Sequence, residues 1–273
     1  MTHMLKVSSV TEGLKTDFMG RNCYSFEELE STNDRAFELA GSGAIEGTIV
    51  IAESQSSGRG RQGRAWISPG GVNIYASLVL RPSILPKRAS QITLVAAVAL
   101  AETLSLYLEG TGSMARIKWP NDIMVGGKKC AGILSEMKMK GREIDFMIVG
   151  IGINVNLKGS DIPCELSDIA TSLYMERGGK VCDRARMINK ICENMERWYK
   201  LYLARGFAEV KSAWNSYSDI NGRQVKAASG STDGSFLESY EEGLAMGIND
   251  AGALLLEKND GTIVEIYAGD IIL

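Results

Sequence analysis

The stretch Glu53–Trp66, ESQSSGRGRQGRAW, is the most unusual part of this sequence. It interleaves glycines with three arginines, Arg59, Arg61 and Arg64, between a short apolar run and a second extended segment. Glycine leaves the backbone flexible, and each arginine carries a permanent planar charge that suits carboxylate and phosphate oxygens. We interpret Glu53–Trp66, called the strap below, as a flexible cationic segment that closes over an anionic reactant.

Two nucleotide-binding motifs share the glycine spacing of the strap, but the residues that follow or complete each motif are absent. Its glycines have the spacing of the dinucleotide fingerprint, which must open a helix, whereas the segment after Trp66 has a turn and β-type alternation. A P-loop needs Lys and Ser or Thr where Arg64 and Ala65 stand. The sequence therefore argues against both nucleotide folds.

Composition indicates an ordinary globular chain. Its 273 residues are 45% hydrophobic and 23% charged, which suits one large domain plus a small one. We expect no membrane partner, because no apolar run is expected to approach the length of a membrane span and the N-terminus lacks the apolar region of a signal sequence. A net charge of -3 argues against a DNA partner. The five cysteines include no C-x-x-C pair, and reduced thiols predict a cytoplasmic protein.

Histidine-dependent chemistry is excluded within this chain. The single histidine, His3, lies at the very start of the sequence, so neither a Ser-His-Asp triad nor a His-rich metal site can form. Any reaction must therefore use arginine, lysine, carboxylates, amides and backbone groups.

Periodicity and turn residues predict three parts: a peripheral lead-in over residues 1–22, a main domain over 23–218 and a small β-barrel over 219–273. In the barrel, short strands are predicted over residues 224–227, 235–248, 253–257 and 262–267, separated by Gly, Asn and Asp turns. Ser31 or Thr32 is a natural N-cap for a helix that ends near Gly41. Gly126-Gly127 between two β-prone runs predicts a hairpin. The nearly uninterrupted apolar run over residues 144–157 predicts a buried central strand.

Several motifs, taken in this order, resemble the biotin protein ligases over nearly the whole chain, from about residue 24 to 270. They are STN (31–33), the strap, KWPND (118–122), KKCAGIL (128–134), GIGINVN (150–156) and GINDAGALLLE (247–257). The resemblance implies an α+β fold: a mixed sheet of the class II aminoacyl-tRNA synthetase and biotin ligase type, flanked by helices, with a C-terminal SH3-like β-barrel. It is closest to the ligase-only group, which lacks an N-terminal DNA-binding domain. Gln62 departs from the arginine common there.

The resemblance implies a two-step reaction in the main domain. The carboxylate of biotin attacks the α-phosphate of ATP, bound with Mg²⁺, to give biotinyl-5′-AMP and pyrophosphate. A lysine of a biotin carboxyl carrier protein or domain then takes the biotin and releases AMP. The residues fit this chemistry, because two like unit charges about 4 Å apart repel by about 4 kcal/mol at an effective dielectric of about 20, and clustered cations offset that repulsion.

Site residues follow from the resemblance, position by position. The biotin-binding set is Ser31, Thr32, Asn33, Gln55, Gly58, Arg59, Arg61, Lys129 and Gly132. The ATP-binding set is Arg59, Arg61, Arg64, Trp66, Lys129 and Asn154. The catalytic set is Arg61, Lys129 and Asp122, where Asp122 could help place Mg²⁺, accept the proton of the incoming lysine or only cap a turn. Glycines at 58, 132, 150 and 152 would permit close approach, and Lys118 is assigned no definite role.

Alternatives stay open. A lipoate or octanoate ligase or transferase of the same superfamily would act on a similar carrier, although the polar set Ser31, Thr32 and Gln55 argues against a purely aliphatic pocket. A nucleic-acid-binding adaptor could instead grip phosphates with the strap, and its binding would fall steeply with salt. An exposed sheet edge could pair two subunits as a homodimer. We also expect the strap to be mobile in the empty enzyme and ordered by the adenylate.

Overall fold

A seven-stranded mixed sheet forms the centre of the computed structural model, which describes residues 4–229 and 239–272. The strand order is β1-β2-β3-β7-β6-β5-β4, and the β1–β2 pair is parallel whereas the other pairs are antiparallel. The strands are β1 (Cys23–Leu29), β2 (Ile49–Gln55), β3 (Ile74–Leu80), β4 (Ala115–Lys118), β5 (Asp122–Val125), β6 (Lys128–Lys140) and β7 (Glu143–Ile153).

Helices cover both faces of this sheet. They are α1 (Val7–Thr11), α2 (Thr32–Gly41), α3 (Ala89–Leu108), α4 (Leu173–Glu176), α5 (Arg184–Arg205) and α6 (Ala208–Tyr217). Successive strand residues point to opposite faces, so Val50, Val79 and Ile148 pack under α2 in one cluster. Their neighbours Ile51 and Val149 belong to the larger core shared with α3 and α5. Because β7 is covered on both faces, the predicted buried central strand is confirmed over residues 144–153, whereas residues 154–157 lie beyond its end.

Helix α3 corrects one expectation from the sequence. With its preceding turn it spans 23 residues, Pro86–Leu108, and is long and apolar enough to cross a membrane by length and composition. Residues 86–108 therefore contradict the expectation that no apolar run approaches the length of a membrane span. However, 72% of the apolar stretch of this helix is buried inside the protein, where α3 packs against α5, α6 and the sheet. A buried core helix passes the same test.

The segment before β1 is not peripheral, contrary to the expectation. Leu5, Val10, Leu14 and Met19 are 0–5% exposed and belong to the main core. The carboxylate of Glu196 on α5 accepts the backbone N–H groups of residues 17, 18 and 19 at 2.8–3.1 Å. This part of the chain is therefore fixed to the helical layer by burial and by a satisfied buried carboxylate.

A second, five-stranded antiparallel sheet follows α6. Its order is β11-β10-β9-β8-β12, with β8 (Gln224–Ser229), β9 (Ser239–Ile248), β10 (Leu254–Glu257), β11 (Ile263–Ile266) and β12 (Asp270–Ile272). The predicted segments 224–227, 253–257 and 262–267 are confirmed as strands. The predicted strand 235–248 is confirmed from residue 239, since residues 235–238 lie outside the described part. Strand β12 was not predicted.

This terminal sheet docks on the main sheet and on α3. Trp119, in the KWPND turn, donates its Nε1–H to the carbonyl of Gly252 at 3.2 Å, and Gln91 on α3 donates to the carbonyl of Asp250 at 2.8 Å. Gly252 has φ +86°, and a Cβ there would lie 2.7 Å from Cδ1 of Leu94. The terminal sheet is therefore held close to the KWPND turn.

We predict that Glu196→Gln lowers the free energy of unfolding and flattens its acid dependence. Burial alone would raise the pKa of Glu196, but the backbone N–H groups of residues 17–19 and the ammonium of Lys200 outweigh burial and lower the pKa to about 2. The stabilisation is therefore fully present above pH 4.5, the ordinary value, and is lost as the pH falls towards 2. A shift of this size corresponds to about 3 kcal/mol.

Urea unfolding at pH 7 and pH 3 measures this effect. The difference between wild type and Glu196→Gln should shrink by about half or more between the two pH values. Glu209→Gln, which removes an exposed ion pair with Arg205, is the control and should change stability by less than about 0.5 kcal/mol. A difference that is equal at both pH values would contradict the assignment.

Candidate active site

A cavity of about 670 Å³ lies over β6 and β7, between the strap and a loop over residues 157–170, called the rim loop below. This volume suits a drug-sized ligand. Nearly all of the predicted site residues line it, namely Ser31, Thr32, Asn33, Gln55, Arg59, Arg61, Arg64, Trp66, Asp122, Lys129, Gly132 and Asn154. Gly58 does not line it. A Cβ there would lie 2.5 Å from the carbonyl oxygen of Trp66, so this glycine closes the base of the strap.

One end of the cavity is lined by the polar side chains of Thr32, Asn33 and Gln55, and Ser77 contacts the first two of them from behind. These four residues, called the polar pocket below, are buried except for the half-buried Gln55. The N–H and hydroxyl of Thr32 both donate to Oε1 of Gln55, at 2.8 and 3.1 Å. Ser77 Oγ lies 2.8 Å from Thr32 Oγ1 and 2.7 Å from Asn33 Oδ1. Ser31 is the N-cap of α2, as predicted, and is 4% exposed. These hydroxyls and amides can both donate to and accept from a neutral polar ligand.

Glycines in the central strands make room for side chains of the site itself. A Cβ on Gly150 would lie 2.1 Å from Oδ1 of Asn33, and one on Gly152 would lie 2.6 Å from the indole of Trp66. A Cβ on Gly132 would lie 3.1 Å from Trp66. The close approach predicted at these three glycines is therefore made by Asn33 and Trp66.

The strap is a tight hairpin. Arg59 and Ala65 form a β-bridge, the N–H of Gly60 donates to the carbonyl of Arg64 at 2.6 Å, and the N–H of Trp66 donates to the carbonyl of Gly58 at 2.8 Å. At its tip lies a 3₁₀ turn, Arg61–Gly63. The strap therefore has its own hydrogen bonds. Its predicted mobility in the empty enzyme stays a prediction.

Arg59 contacts protein carboxylates. Its Nη2 pairs with Asp34 in the first turn of α2 and with Glu136 on β6, the latter at 3.2 Å. Glu136 also accepts from Nδ2 of Asn33 at 2.6 Å. The charge of Arg59 is therefore balanced by these two carboxylates at the edge of the cavity, which ties the strap to α2 and β6.

Arg61 and Arg64 contact the terminal sheet. Nη1 of Arg61 lies 3.1 Å from Asn121 Oδ1, 3.1 Å from the carbonyl of Gly269 and 3.2 Å from Asp270 Oδ1. Nη2 of Arg64 pairs with the other oxygen of Asp270. Burial lowers the pKa of Arg61, which Asp122 raises and Arg64 lowers further, and the guanidinium stays charged. Arg61 thus joins the strap, the KWPND turn and β12.

Lys129 on β6 and Asp122 on β5 form an ion pair across the β5–β6 hairpin. The Gly126-Gly127 turn, with both φ values positive, carries β6 back along β5 as predicted. Lys129 Nζ lies 2.7 Å from Asp122 Oδ1 and 5.3 Å from the centre of the Trp66 ring. The first distance is that of a charge-assisted ion pair, so Oδ1 of Asp122 is the counter-ion of Lys129.

Lys118, which the sequence left without a role, also lines the cavity beside this pair. It lies opposite Asp122 in the β4–β5 ladder. Burial lowers the pKa of Lys118, Asp122 raises it, and the neighbouring charge of Lys129 lowers it again. The carboxylate of Asp122 therefore stands between two lysines.

The rim loop forms the opposite wall and was not predicted. It supplies apolar side chains from Leu157, Ile162, Pro163, Leu166 and Ile169. Lys129 holds it through its backbone, since its N–H donates to the carbonyl of Ile169 at 2.8 Å. Asn154, predicted to contact nucleotide, donates from its amide to the carbonyl of Thr171 at 3.0 Å and so supports this loop.

Comparisons with known proteins agree with this geometry. The sequence matches the Biotin/lipoate A/B protein ligase family over residues 25–154 and the Biotin protein ligase C terminal domain over residues 222–273. It is 43% identical over 269 residues to the bifunctional ligase/repressor BirA of Bacillus subtilis, covering 98% of this chain and 79% of that protein. It is 35% identical to the biotin–[acetyl-CoA-carboxylase] ligase of Paracoccus denitrificans, covering 88% of this chain and 98% of that protein.

Solved structures show the same architecture. The biotin protein ligase from Aquifex aeolicus in complex with biotin and ATP superposes with a TM-score of 0.76 at 32% identity, covering 92% of this chain and 98% of that one. The expected fold class is confirmed: a mixed sheet flanked by helices, followed by an SH3-like C-terminal antiparallel sheet. The chain therefore belongs to the Biotin/lipoate A/B protein ligase family, as a biotin protein ligase.

Proposed function

We propose that this enzyme converts biotin and ATP into biotinyl-5′-AMP and pyrophosphate, and then transfers biotin to a lysine of a biotin carboxyl carrier protein or domain. One observation carries the proposal. A single cavity joins the polar pocket to two cations from different elements, Arg61 of the strap and Lys129 of the β5–β6 hairpin. A ligand with a neutral polar head and a carboxylate tail, followed by a phosphate, matches this order of groups.

The polar pocket supports biotin as the acid that is activated. A ureido ring offers one carbonyl acceptor and two N–H donors, and Thr32, Asn33 and Gln55 provide groups of both kinds. An aliphatic lipoyl or octanoyl chain has no donor or acceptor that could use the remaining hydrogen-bonding capacity of these groups, whereas the ureido ring has both. The pocket therefore favours biotin over lipoate or octanoate.

The first step joins two anions. A carboxylate oxygen of biotin forms a bond to the α-phosphorus of ATP, while the bond from that phosphorus to the pyrophosphate oxygen breaks. Negative charge increases on the α-phosphate oxygens during this step, so cations fixed beside them stabilise the transition state more than the reactants. We assign this role to Lys129, held by Asp122, and to Arg61, held by Asn121 and the terminal sheet. Orientation of the two reactants supplies a further large part of the rate.

Adenine would lie between the indole of Trp66 and the apolar side chains of the rim loop. The ring of Trp66 rests on the backbone of Gly152, and its buried Nε1–H has no hydrogen-bond partner among the residues that the structure describes. Arg64 and Asn154 line the same cavity. With nucleotide bound, the strap and the rim loop would keep water from the mixed anhydride.

Mg²⁺ would arrive with the phosphates of ATP. Among the described residues, no group of three His, Cys, Asp or Glu side chains could hold a metal ion. Asp122, which lines the cavity, has a second carboxylate oxygen, Oδ2, besides the Oδ1 that pairs with Lys129. One carboxylate with phosphate oxygens and waters is a donor set that Mg²⁺ accepts, so these residues fit the ion. When bound, it would neutralise phosphate charge.

The second step needs a neutral lysine amine from the carrier. The amine attacks the acyl carbon of biotinyl-5′-AMP and expels AMP, and Asp122 is the carboxylate in this part of the cavity that we propose to accept the released proton. The carrier protein, a cytoplasmic location and a homodimer stay predictions.

We predict that Arg61→Ala and Lys129→Ala each lower biotin-dependent exchange of pyrophosphate into ATP by about 100-fold or more, the usual effect of removing one transition-state donor. Both side chains lie partly exposed at the cavity, so the melting temperature should change little. Lys138→Ala, further along β6 and exposed, is the control and should retain wild-type exchange.

Two results would contradict the proposal. One is an Lys129→Ala enzyme that forms the adenylate at the wild-type rate. The other is wild-type exchange that depends equally on lipoate, since the polar pocket should restrict the reaction to biotin.

We predict that Gly150→Ala weakens biotin binding by about 10-fold or more. The new Cβ would lie 2.1 Å from Oδ1 of Asn33, so Asn33 must leave its position beside Ser77 and a buried polar contact is lost. Calorimetric titration with biotin measures the change. Gly41→Ala at the end of α2, where a Cβ would meet nothing within 4 Å, is the matched control. Unchanged affinity in Gly150→Ala would contradict the placement of biotin beside Asn33.

A further inference from the structure

Asp270 is the residue of the terminal sheet that reaches the cavity in the described part of the chain. It begins β12, and both of its carboxylate oxygens contact the strap. Oδ1 lies 3.2 Å from Nη1 of Arg61, and Oδ2 pairs with Nη2 of Arg64. One carboxylate thus bridges two arginines that come from a segment more than 200 residues earlier in the sequence.

The contacts of Arg61 leave half of its guanidinium available. All three protein acceptors, from Asn121, Gly269 and Asp270, lie 3.1–3.2 Å from the same nitrogen, Nη1. A guanidinium carries five N–H donors in a rigid planar fork, three of them on Nε and Nη2. Those three donors make no hydrogen bond with the residues that the structure describes. The protein therefore fixes one edge of the fork and leaves the other edge for a ligand.

The carboxylate of Asp270 balances the charges of Arg61 and Arg64 and holds them at a fixed position. Arg61 is only 23% exposed, and two guanidinium groups close together repel each other unless an anion lies between them. Asp270 removes one of the two positive charges, so a net charge of +1 remains for an incoming anion. It is also firmly placed, because β12 pairs with β8 and the next residue, Ile271, is 3% exposed.

We propose that Asp270 is a positioning residue for adenylate formation, and this rests on the proposed function above. It bridges Arg61 and Arg64, so that the strap is set over the cavity and the open edge of Arg61 meets the reacting carboxylate and α-phosphate. Asp270 itself touches neither substrate. The terminal sheet thereby takes part in the first chemical step, because a cation must be held close to its productive geometry to contribute fully to the rate.

Asp270→Asn in the full chain tests this, because it keeps the shape and removes the charge. Initial rates of biotin-dependent pyrophosphate–ATP exchange give kcat and the KM for biotin. We expect kcat to fall about 10-fold or more, since Arg61 loses its fixed geometry. The KM for biotin should stay within about twofold, because the polar pocket lies on α2, β2 and β3. Thermal unfolding should be unchanged.

Two further variants make the test specific. Asp270→Glu keeps a carboxylate on the same strand and should recover a clear part of kcat. Glu242→Gln removes an exposed ion pair with Lys226 on the same sheet and should match wild type in all three measurements.

The possible outcomes separate cleanly. Wild-type enzyme without biotin-dependent exchange would refute the proposed function itself. With active wild type, the positioning role is overturned if Asp270→Asn keeps kcat within twofold or if Asp270→Glu recovers nothing. It is equally overturned if kcat, the KM for biotin and the melting temperature all worsen together in Asp270→Asn, because that pattern is a general loss of structure.

Discussion

The arrangement of this site depends on one electrostatic constraint: cations must be concentrated where two anions react, yet each cation needs a counter-ion when no substrate is bound. Partly buried positive charges repel each other and lose hydration, so unpaired clusters are unstable. The structure solves this with carboxylates from separate elements. Arg59 pairs with Asp34 and Glu136, and Lys129 pairs with Asp122. The two remaining strap arginines share a single carboxylate of β12.

These pairs also build the site mechanically. Besides the hairpin hydrogen bonds and the packing of Trp66 on Gly152, the partners of its arginines fix the position of the glycine-rich strap. One arginine ties it to α2 and β6, and another ties it to the KWPND turn and the terminal sheet. The KWPND turn is itself held in place, because the Nε1–H of Trp119 donates to the carbonyl of Gly252, just before β10 of the terminal sheet. The contacts that balance the charges of the strap arginines therefore also hold the strap in position.

The sequence predicts those features that local chemistry determines. The cap at Ser31, the Gly-Gly hairpin and the apolar strand β7 are each specified by a few neighbouring residues, and all three are confirmed. Most of the expected site residues also line one cavity, because their motifs fall at the ends of strands that pair in the sheet. Their individual roles stay proposals.

Features that depend on distant contacts were missed. Ser77 lies within the wholly buried strand β3, where its hydroxyl gives no pattern that points to the polar pocket. Strand β12 has only three residues, so an alternation of apolar and polar residues cannot reveal it. The role that we propose for Asp270 depends on its contact with Arg61, which lies far away in the sequence. The rim loop has no periodicity at all. The glycines of β6 and β7 were expected to permit the close approach of another group, and the sequence alone could not identify Asn33 and Trp66 as the side chains that approach them.

The most direct test of the central claim is the coupling between the two anions when they bind. Calorimetry with biotin, in the absence and presence of the non-reacting analogue α,β-methylene-ATP, measures it for wild type and Lys129→Gln. The account predicts that the analogue leaves wild-type biotin affinity equal or tighter, but weakens it about 10-fold or more in the variant, where the repulsion is no longer offset. Biotinol, which lacks the carboxylate, should show no such difference. If the analogue affects biotin equally in both proteins, the cations do not bring the two anions together and the account is contradicted.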